Sequence, residues 1–216
     1  MTPYKFTMLY STRENYPSFR VDLTELFSAG LALKGHHIDW HMQSAQPSKS
    51  RNLRLNETEQ VFLGPTVAGK RPWHKILRLV AALCHDTALL RLSGDKDYDF
   101  IQVRDKMFGG LVGAIAARVR HIPFFYWMSF PYPEADIYRA ADRQMDFSSA
   151  TRWFYRVRGI LTGWLLYKVV LPRADHVFVQ SDRMSQDVAA RGIRPDCMSA
   201  VPMGINMDAV DRGSAE

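Results

Sequence analysis

Two stretches near the end of the chain decide its fold: Leu171-Pro-Arg-Ala-Asp-His-Val-Phe-Val-Gln-Ser-Asp182 and, after a helical interval, Ser199-Ala-Val-Pro-Met-Gly-Ile-Asn-Met-Asp208. In the first, an apolar, β-prone run over 175–180 gives way to Ser and Asp. Both are favoured at helix starts, where their oxygens accept otherwise unpaired backbone N–H groups. A helix over 182–191 follows, and a second apolar run over 197–202 is closed by Pro and Gly. Strand, helix and strand in this order read as the last unit of an α/β domain. Residues 205–216 read as the start of a linker.

Working outward, the same unit recurs along the chain. A strand is predicted at 5–10, a polar loop at 11–18 and a helix at 21–33, stopped by Gly35. A second strand at 37–42 alternates, 43–59 is polar without a strong period and reads as an exposed excursion, and 61–63 is a third strand. The helix at 73–92 carries Ile76, Leu77, Val80, Leu83 and Leu90. Strands at 99–104 and 123–128 flank a small-residue helix at 109–119. A loop rich in Pro and acidic residues at 131–146 leads to a long helix at 151–170. Such alternation predicts an α/β fold: a single Rossmann-like domain over 1–204, a mostly parallel sheet with helices on both faces, in three αβα layers. Ligands of such sheets sit at the carboxyl ends of the strands.

With 216 residues, 47% of them hydrophobic, the chain can bury a full-sized core. Lys plus Arg number 28 against 22 Asp plus Glu, and the excess gathers at Arg152, Arg156, Arg158 and Lys168, and at Arg51, Arg54, Lys70 and Arg71. This balance favours anionic partners without choosing among phosphates, acidic lipids and nucleic acid. Cys84 and Cys197 are far apart, so neither a disulfide framework nor a zinc site is suggested, and a reducing cytoplasm fits best. No charged leader precedes an apolar segment at the N-terminus, and the longest apolar run, 159–171, is short and contains Lys168, so neither secretion nor a membrane span is expected.

Three features resemble one family: Arg173-Ala-Asp-His-Val-Phe-Val-Gln-Ser-Asp-Arg-Met184, Val201-Pro-Met-Gly-Ile-Asn-Met-Asp208, and Tyr98-Asp-Phe-Ile-Gln-Val-Arg104 followed by its helix and Ile122-Pro-Phe-Phe-Tyr126. Together they are similar to the N-terminal, acceptor-side domain of two-domain retaining glycosyltransferases of the GT-B type, family 4-like, which include many bacterial polysaccharide and glycolipid enzymes. The sequence departs from the family pattern at Met203, which stands where Asn is usual, and in the first loop, Ser11-Thr-Arg-Glu-Asn-Tyr-Pro-Ser18, which lacks the usual glycine pair. Ser129 lies in the region where many members carry a histidine.

The resemblance implies transfer of a sugar from a nucleotide-sugar donor to a saccharide or lipid-linked acceptor, with no required metal or other cofactor and no nucleic acid partner. It implies a C-terminal donor-binding domain that these residues lack, so the isolated chain is expected to be inactive. A sugar-nucleotide epimerase-like half and a non-catalytic saccharide- or phosphate-binding module remain the alternatives.

Candidate acceptor-binding residues are Arg13, Asn15 and Tyr16 after the first strand, Arg104 and Asp105 after the fourth, Ser129 after the fifth and Ser181 after the sixth, with Gly204 on the donor side. A charged fork, an amide and an aromatic face suit a sugar or phosphate. Arg104 is open to a second reading, a surface ion pair with Asp105. No catalytic residue is assigned. Arg152, Arg156 and Arg158, on a segment also rich in Trp, Phe and Leu, are candidates to face an anionic membrane, the other reading being a core helix with one basic exposed edge. Asp95-Lys-Asp97 precedes a strand and reads as a solvated turn, and His37, Asp39 and His41, on one strand face, read as packing residues.

Overall fold

Alternate residues of the first strand enter two different cores: Met8 and Tyr10 pack on one side of the sheet, Leu9 on the other. The computed structural model describes residues 4–18, 20–69 and 71–202. Strands β1 (Thr7–Tyr16), β2 (His37–Ser44), β3 (Arg51–Arg54), β4 (Glu59–Gly64), β5 (Phe100–Arg104), β6 (Phe124–Met128), β7 (His176–Val179) and β8 (Met198–Ala200) form one sheet. Its order is β3-β4-β2-β1-β5-β6-β7-β8. Every neighbouring pair is parallel except β3 with β4. Strand order reverses between β1 and β5, which opens a crevice at their carboxyl ends.

One face is covered by α2 (Pro72–Leu92), α3 (Met107–Arg120), a turn of wider, π-type winding over Leu165–Val170, and α6 (Asp182–Ala189). Gly113 brings α3 close to the sheet, since a Cβ there would lie 2.8 Å from Val103 Cγ2. The other face is covered by α1 (Asp22–Leu31), itself π-wound, through Leu23 and Phe27 on Tyr10, Trp40 and Trp127. The expected three-layer αβα domain is therefore present.

Three departures from the sequence reading matter. β1 runs to Tyr16 instead of stopping at Tyr10: Thr12 pairs with Arg104, Asn15 and Tyr16 pair with Gln43 and Ser44 at the sheet's rim, and Arg13 and Glu14 stand in the register shift between them. The 43–59 excursion contains β3, paired antiparallel to β4. The 131–146 loop contains a helix, α4 (Tyr132–Ala141), and with α5 (Ser149–Trp164) it makes a helical hairpin. Gly159 permits the close crossing, because a Cβ there would meet the Pro133 carbonyl oxygen at 2.8 Å and Ile137 Cγ1 at 2.7 Å.

Candidate functional site

Arg104 ends β5 between Thr12 of β1 and Trp127 of β6. Alternation sends Val103 into the α3-side core and Arg104 toward α1. There it is wholly buried, ion-paired with Asp22 in the first turn of α1, with Nε 3.6 Å from Asp105 Oδ2 and the guanidinium 5.4 Å from the Trp127 ring. Tyr10 is buried beside it, and that burial pushes its hydroxyl above the usual tyrosine range, partly offset by the Arg104 charge. Arg104 is thus neither a surface ion pair nor a group that reaches a ligand. It ties the start of α1 to β5.

Asp105 takes a left-handed backbone, φ 55°, and its N–H donates to the Trp127 carbonyl at 3.0 Å. Its Oδ1 accepts the Ser129 N–H at 2.8 Å, and Ser129 Oγ donates to Oδ2. Burial raises the Asp105 carboxyl above its ordinary range and the Ser129 bonds pull it back. These two residues, named from sequence as acceptor contacts, are buried and occupied with each other. They fix the turn that leads into α4.

Arg13 and Asn15 are exposed at the rim. The Arg13 guanidinium lies 4.0 Å over the ring of Tyr132, the first residue of α4, and among the described residues it has no carboxylate partner. Its neighbour Glu14 is held by Arg20 at 3.1 Å, which also reaches Asp22 at 3.5 Å. Tyr16 is half-buried in the wall of a small apolar pocket of about 150 Å³ with Leu23, Trp40 and Val61.

Ser181 caps α6 by accepting the Met184 N–H at 3.2 Å, and it lines a groove of about 700 Å³ with Met128, Glu134, Tyr167 and Arg191. Glu134 accepts the Tyr167 hydroxyl at 2.9 Å and pairs with Arg191 at 2.6 Å. Arg13 and Tyr132 are therefore brought together, and Ser181 opens onto a separate groove. Tyr132 and Glu134 were missed because the Pro-rich segment around them reads as loop. The signal was there: Pro is tolerated in a helix's first turn, where its missing N–H has no partner to lose. Gly204 lies outside the described residues.

On the α2–α3 side of the crevice, Lys106 pairs with Asp86 and sits 3.5 Å from Ser11 Oγ, which lies 2.9 Å from His41 Nδ1. His41 Nε2 donates to the His85 carbonyl and His85 Nε2 to the Met42 carbonyl, both at 3.0 Å, and the two rings stack at 3.7 Å. Burial first, and the Lys106 charge second, lower both histidines, His85 to about 4, so the pair is neutral at pH 7. Asp39 is taken by Lys96 at 2.7 Å and by the Tyr98 hydroxyl at 2.6 Å, while His37 is exposed. His37, Asp39 and His41 therefore do not converge on a metal. No metal-binding group of three or more His, Cys, Asp or Glu side chains exists among the described residues. Asp95 and Asp97 are exposed in the turn before β5.

The α4–α5 hairpin spends two of the three arginines expected to face a membrane. Arg152 donates to four carbonyl oxygens, of Ala140, Asp142, Met145 and Phe147, closing the 142–147 turn. Arg158 grips Asp136 with Nε at 2.6 Å and Nη2 at 2.5 Å. Of the three, Arg156 alone has no hydrogen-bond or ion-pair partner among the described residues. Beside it runs an apolar stripe, Trp153, Phe154, Ile160, Leu161 and Trp164, with the two tryptophans 68% and 62% exposed.

Residues 24–204 match the glycosyl transferase 4-like domain. The chain belongs to that family. Solved structures agree on the fold of this glycosyl transferase 4-like domain. A trehalose 6-phosphate synthase from Burkholderia multivorans superposes with a TM-score of 0.59 at 14% identity, over 98% of this chain and 51% of the other. A sucrose-phosphate synthase structure from Thermosynechococcus elongatus gives 0.52 at 15% identity, over 97% and 96%. HepE of Anabaena, in complex with UDP and glucose, gives 0.50 at 14% identity, over 94% and 46%. The chain thus spans about half the length of HepE and of the trehalose 6-phosphate synthase. No curated protein matches it significantly.

Proposed function

We propose that this domain is the acceptor-side half of a retaining glycosyltransferase that moves a sugar from a nucleotide-sugar donor to a saccharide or lipid-linked acceptor without a required metal. The observation that carries the reading is the family match over 24–204, whose family is one of glycosyl transferases and so does not favour an epimerase. HepE was solved with UDP and glucose, which supports a nucleotide sugar as the donor class. The donor is held mainly by a second domain, and these residues alone turn over no substrate.

Within this half, the Arg13–Tyr132 ledge is the acceptor contact. An exposed guanidinium stacked on an aromatic ring is pre-oriented to bond a hydroxyl or phosphate oxygen. The buried pairs behind it, Arg104 with Asp22 and Asp105 with Ser129, hold the two rim segments that carry Arg13 and Tyr132. In the full-length protein, Arg13→Ala is expected to raise the acceptor KM at least tenfold, about 1.4 kcal/mol, with kcat little changed. An unchanged KM overturns the assignment.

A lipid-linked acceptor brings the domain to a membrane, as a peripheral protein of the cytoplasmic face. Support comes from the exposed stripe of α5 with Arg156 at its margin, an arrangement suited to the headgroup zone of anionic lipid, and from the free thiols of Cys84 and Cys197. No helix among the described residues is long and apolar enough to cross a membrane. Trp153→Ser with Trp164→Ser is expected to weaken co-sedimentation with anionic vesicles at least tenfold; undiminished binding refutes this contact.

A further inference from the structure

At the amino edge of the sheet, a strand's length from the crevice, β6 begins at Phe124 and β7 at His176. A cavity of about 450 Å³ opens there, lined by Arg118, His121, Arg173, Asp175 and Arg194 over a floor that includes Phe124. Its three arginines come from three separate places: the last turn of α3, the 3₁₀ turn Leu171–Arg173, and the segment after α6. The carbonyl end of α3 accounts for basic residues on that helix. It does not account for the convergence of Arg173 and Arg194 from elsewhere.

The charge in the cavity is unbalanced. Among the described residues Asp175 is the one carboxylate of the lining, and its Oδ2 is engaged by the Phe124 N–H at 2.7 Å. Arg173 uses one N–H on the Val169 carbonyl and Arg194 one on Cys197 Sγ, which leaves four donors on each guanidinium. None of the three arginines has a carboxylate partner among the described residues. His121 adds a second observation. It ends α3 in the left-handed conformation, φ 58°, where glycine is the residue of least strain, and so keeps an imidazole in the lining at a backbone cost.

We infer that this cavity is a second anion site, separate from the acceptor ledge, which takes a phosphate or pyrophosphate group. Planar guanidinium forks match phosphate oxygens two at a time, and the volume lies in the range of small-ligand pockets. The group can belong to a soluble phosphate ester or to a phospholipid headgroup, and the recognition chemistry is the same.

Inorganic pyrophosphate titrated calorimetrically into the full chain, against sodium chloride at matched ionic strength, tests the site. Arg13, Arg118 and Arg194 are all exposed, so the fold is not at stake. Arg118→Gln with Arg194→Gln is expected to weaken pyrophosphate at least tenfold, whereas Arg13→Gln leaves that affinity unchanged. Wild-type affinity in the double variant, or loss on Arg13→Gln alone, overturns the inference. Vesicles containing phosphatidylglycerol, with Trp153→Ser/Trp164→Ser protein, identify the source. Binding that pyrophosphate displaces assigns the group to a headgroup, and absence of vesicle binding beside retained pyrophosphate affinity assigns it to a soluble ester.

Discussion

Behind the rim that carries Arg13, at the carboxyl edge of the sheet, the buried charged groups are answered: Arg104 by Asp22, Lys106 by Asp86, Asp105 by Ser129. On the α5 surface and at the amino edge, Arg156, Arg118 and Arg194 stand exposed without a carboxylate partner among the described residues. Burying a charge pair costs desolvation that the mutual attraction only partly returns, and removing one partner strands the other. An exposed cation costs little to keep and little to remove. The first set therefore shapes the domain, and the second is available to ligands.

The comparison breaks most readily at Arg104. Arg104→Gln leaves the buried Asp22 carboxylate with only the half-exposed Arg20, 3.5 Å away, as counter-charge, and a loss of about 3 kcal/mol is expected in urea unfolding. A loss below about 1 kcal/mol would show that the pair does not hold the edge.

Next in size is a pH effect from the His41–His85 stack. Both folded-state pKa values lie below the ordinary histidine value of 6.5, His85 at about 4. Between these values the unfolded chain binds more protons, so stability is full above about 6.5 and falls as pH drops toward 4. His85 alone contributes about 1.4 kcal/mol per pH unit in that window. Urea midpoints at pH 7, 5.5 and 4.5 should show the decline, and His85→Gln should flatten it.

Ser129→Ala removes one of the two bonds Ser129 makes to the buried Asp105 carboxylate, at an expected cost of about 1–2 kcal/mol by the same measurement. Arg156→Gln sharpens the contrast from the other side. Stability should change by less than about 0.5 kcal/mol, while affinity for anionic vesicles falls.

Much of the fold was legible because periodicity reports burial. The run 123–128 is apolar on both faces, as a central parallel strand must be, and β6 lies there; in 99–104 Ile101 and Val103 mark one buried face while Gln102 and Arg104 occupy the other, and β5 lies there. Where burial is one-sided or absent, the pattern fails. Residues 12–16 of β1 are polar because they lie at the rim, across a register shift, and α4 is short and amphipathic with prolines at its start. The site was harder to read for a different reason. Arg13 and Arg104 look alike in sequence, yet one ends exposed on Tyr132 and the other sealed against Asp22. Arg152 looked like a lipid contact because the carbonyl oxygens it would cap are invisible until the 142–147 turn closes.

The Arg104–Asp22 pair also bears on how the domain comes apart. Asp22 belongs to the helix after β1, which leads toward β2, whereas Arg104 belongs to β5, the first strand on the far side of the reversal. The pair thus bolts together two half-sheets that could otherwise separate along the β1–β5 seam. Neither half can open without exposing a charge the other was neutralising, so melting should be a single cooperative event, with hydrogen exchange in β2 and β6 slowing to the same limit.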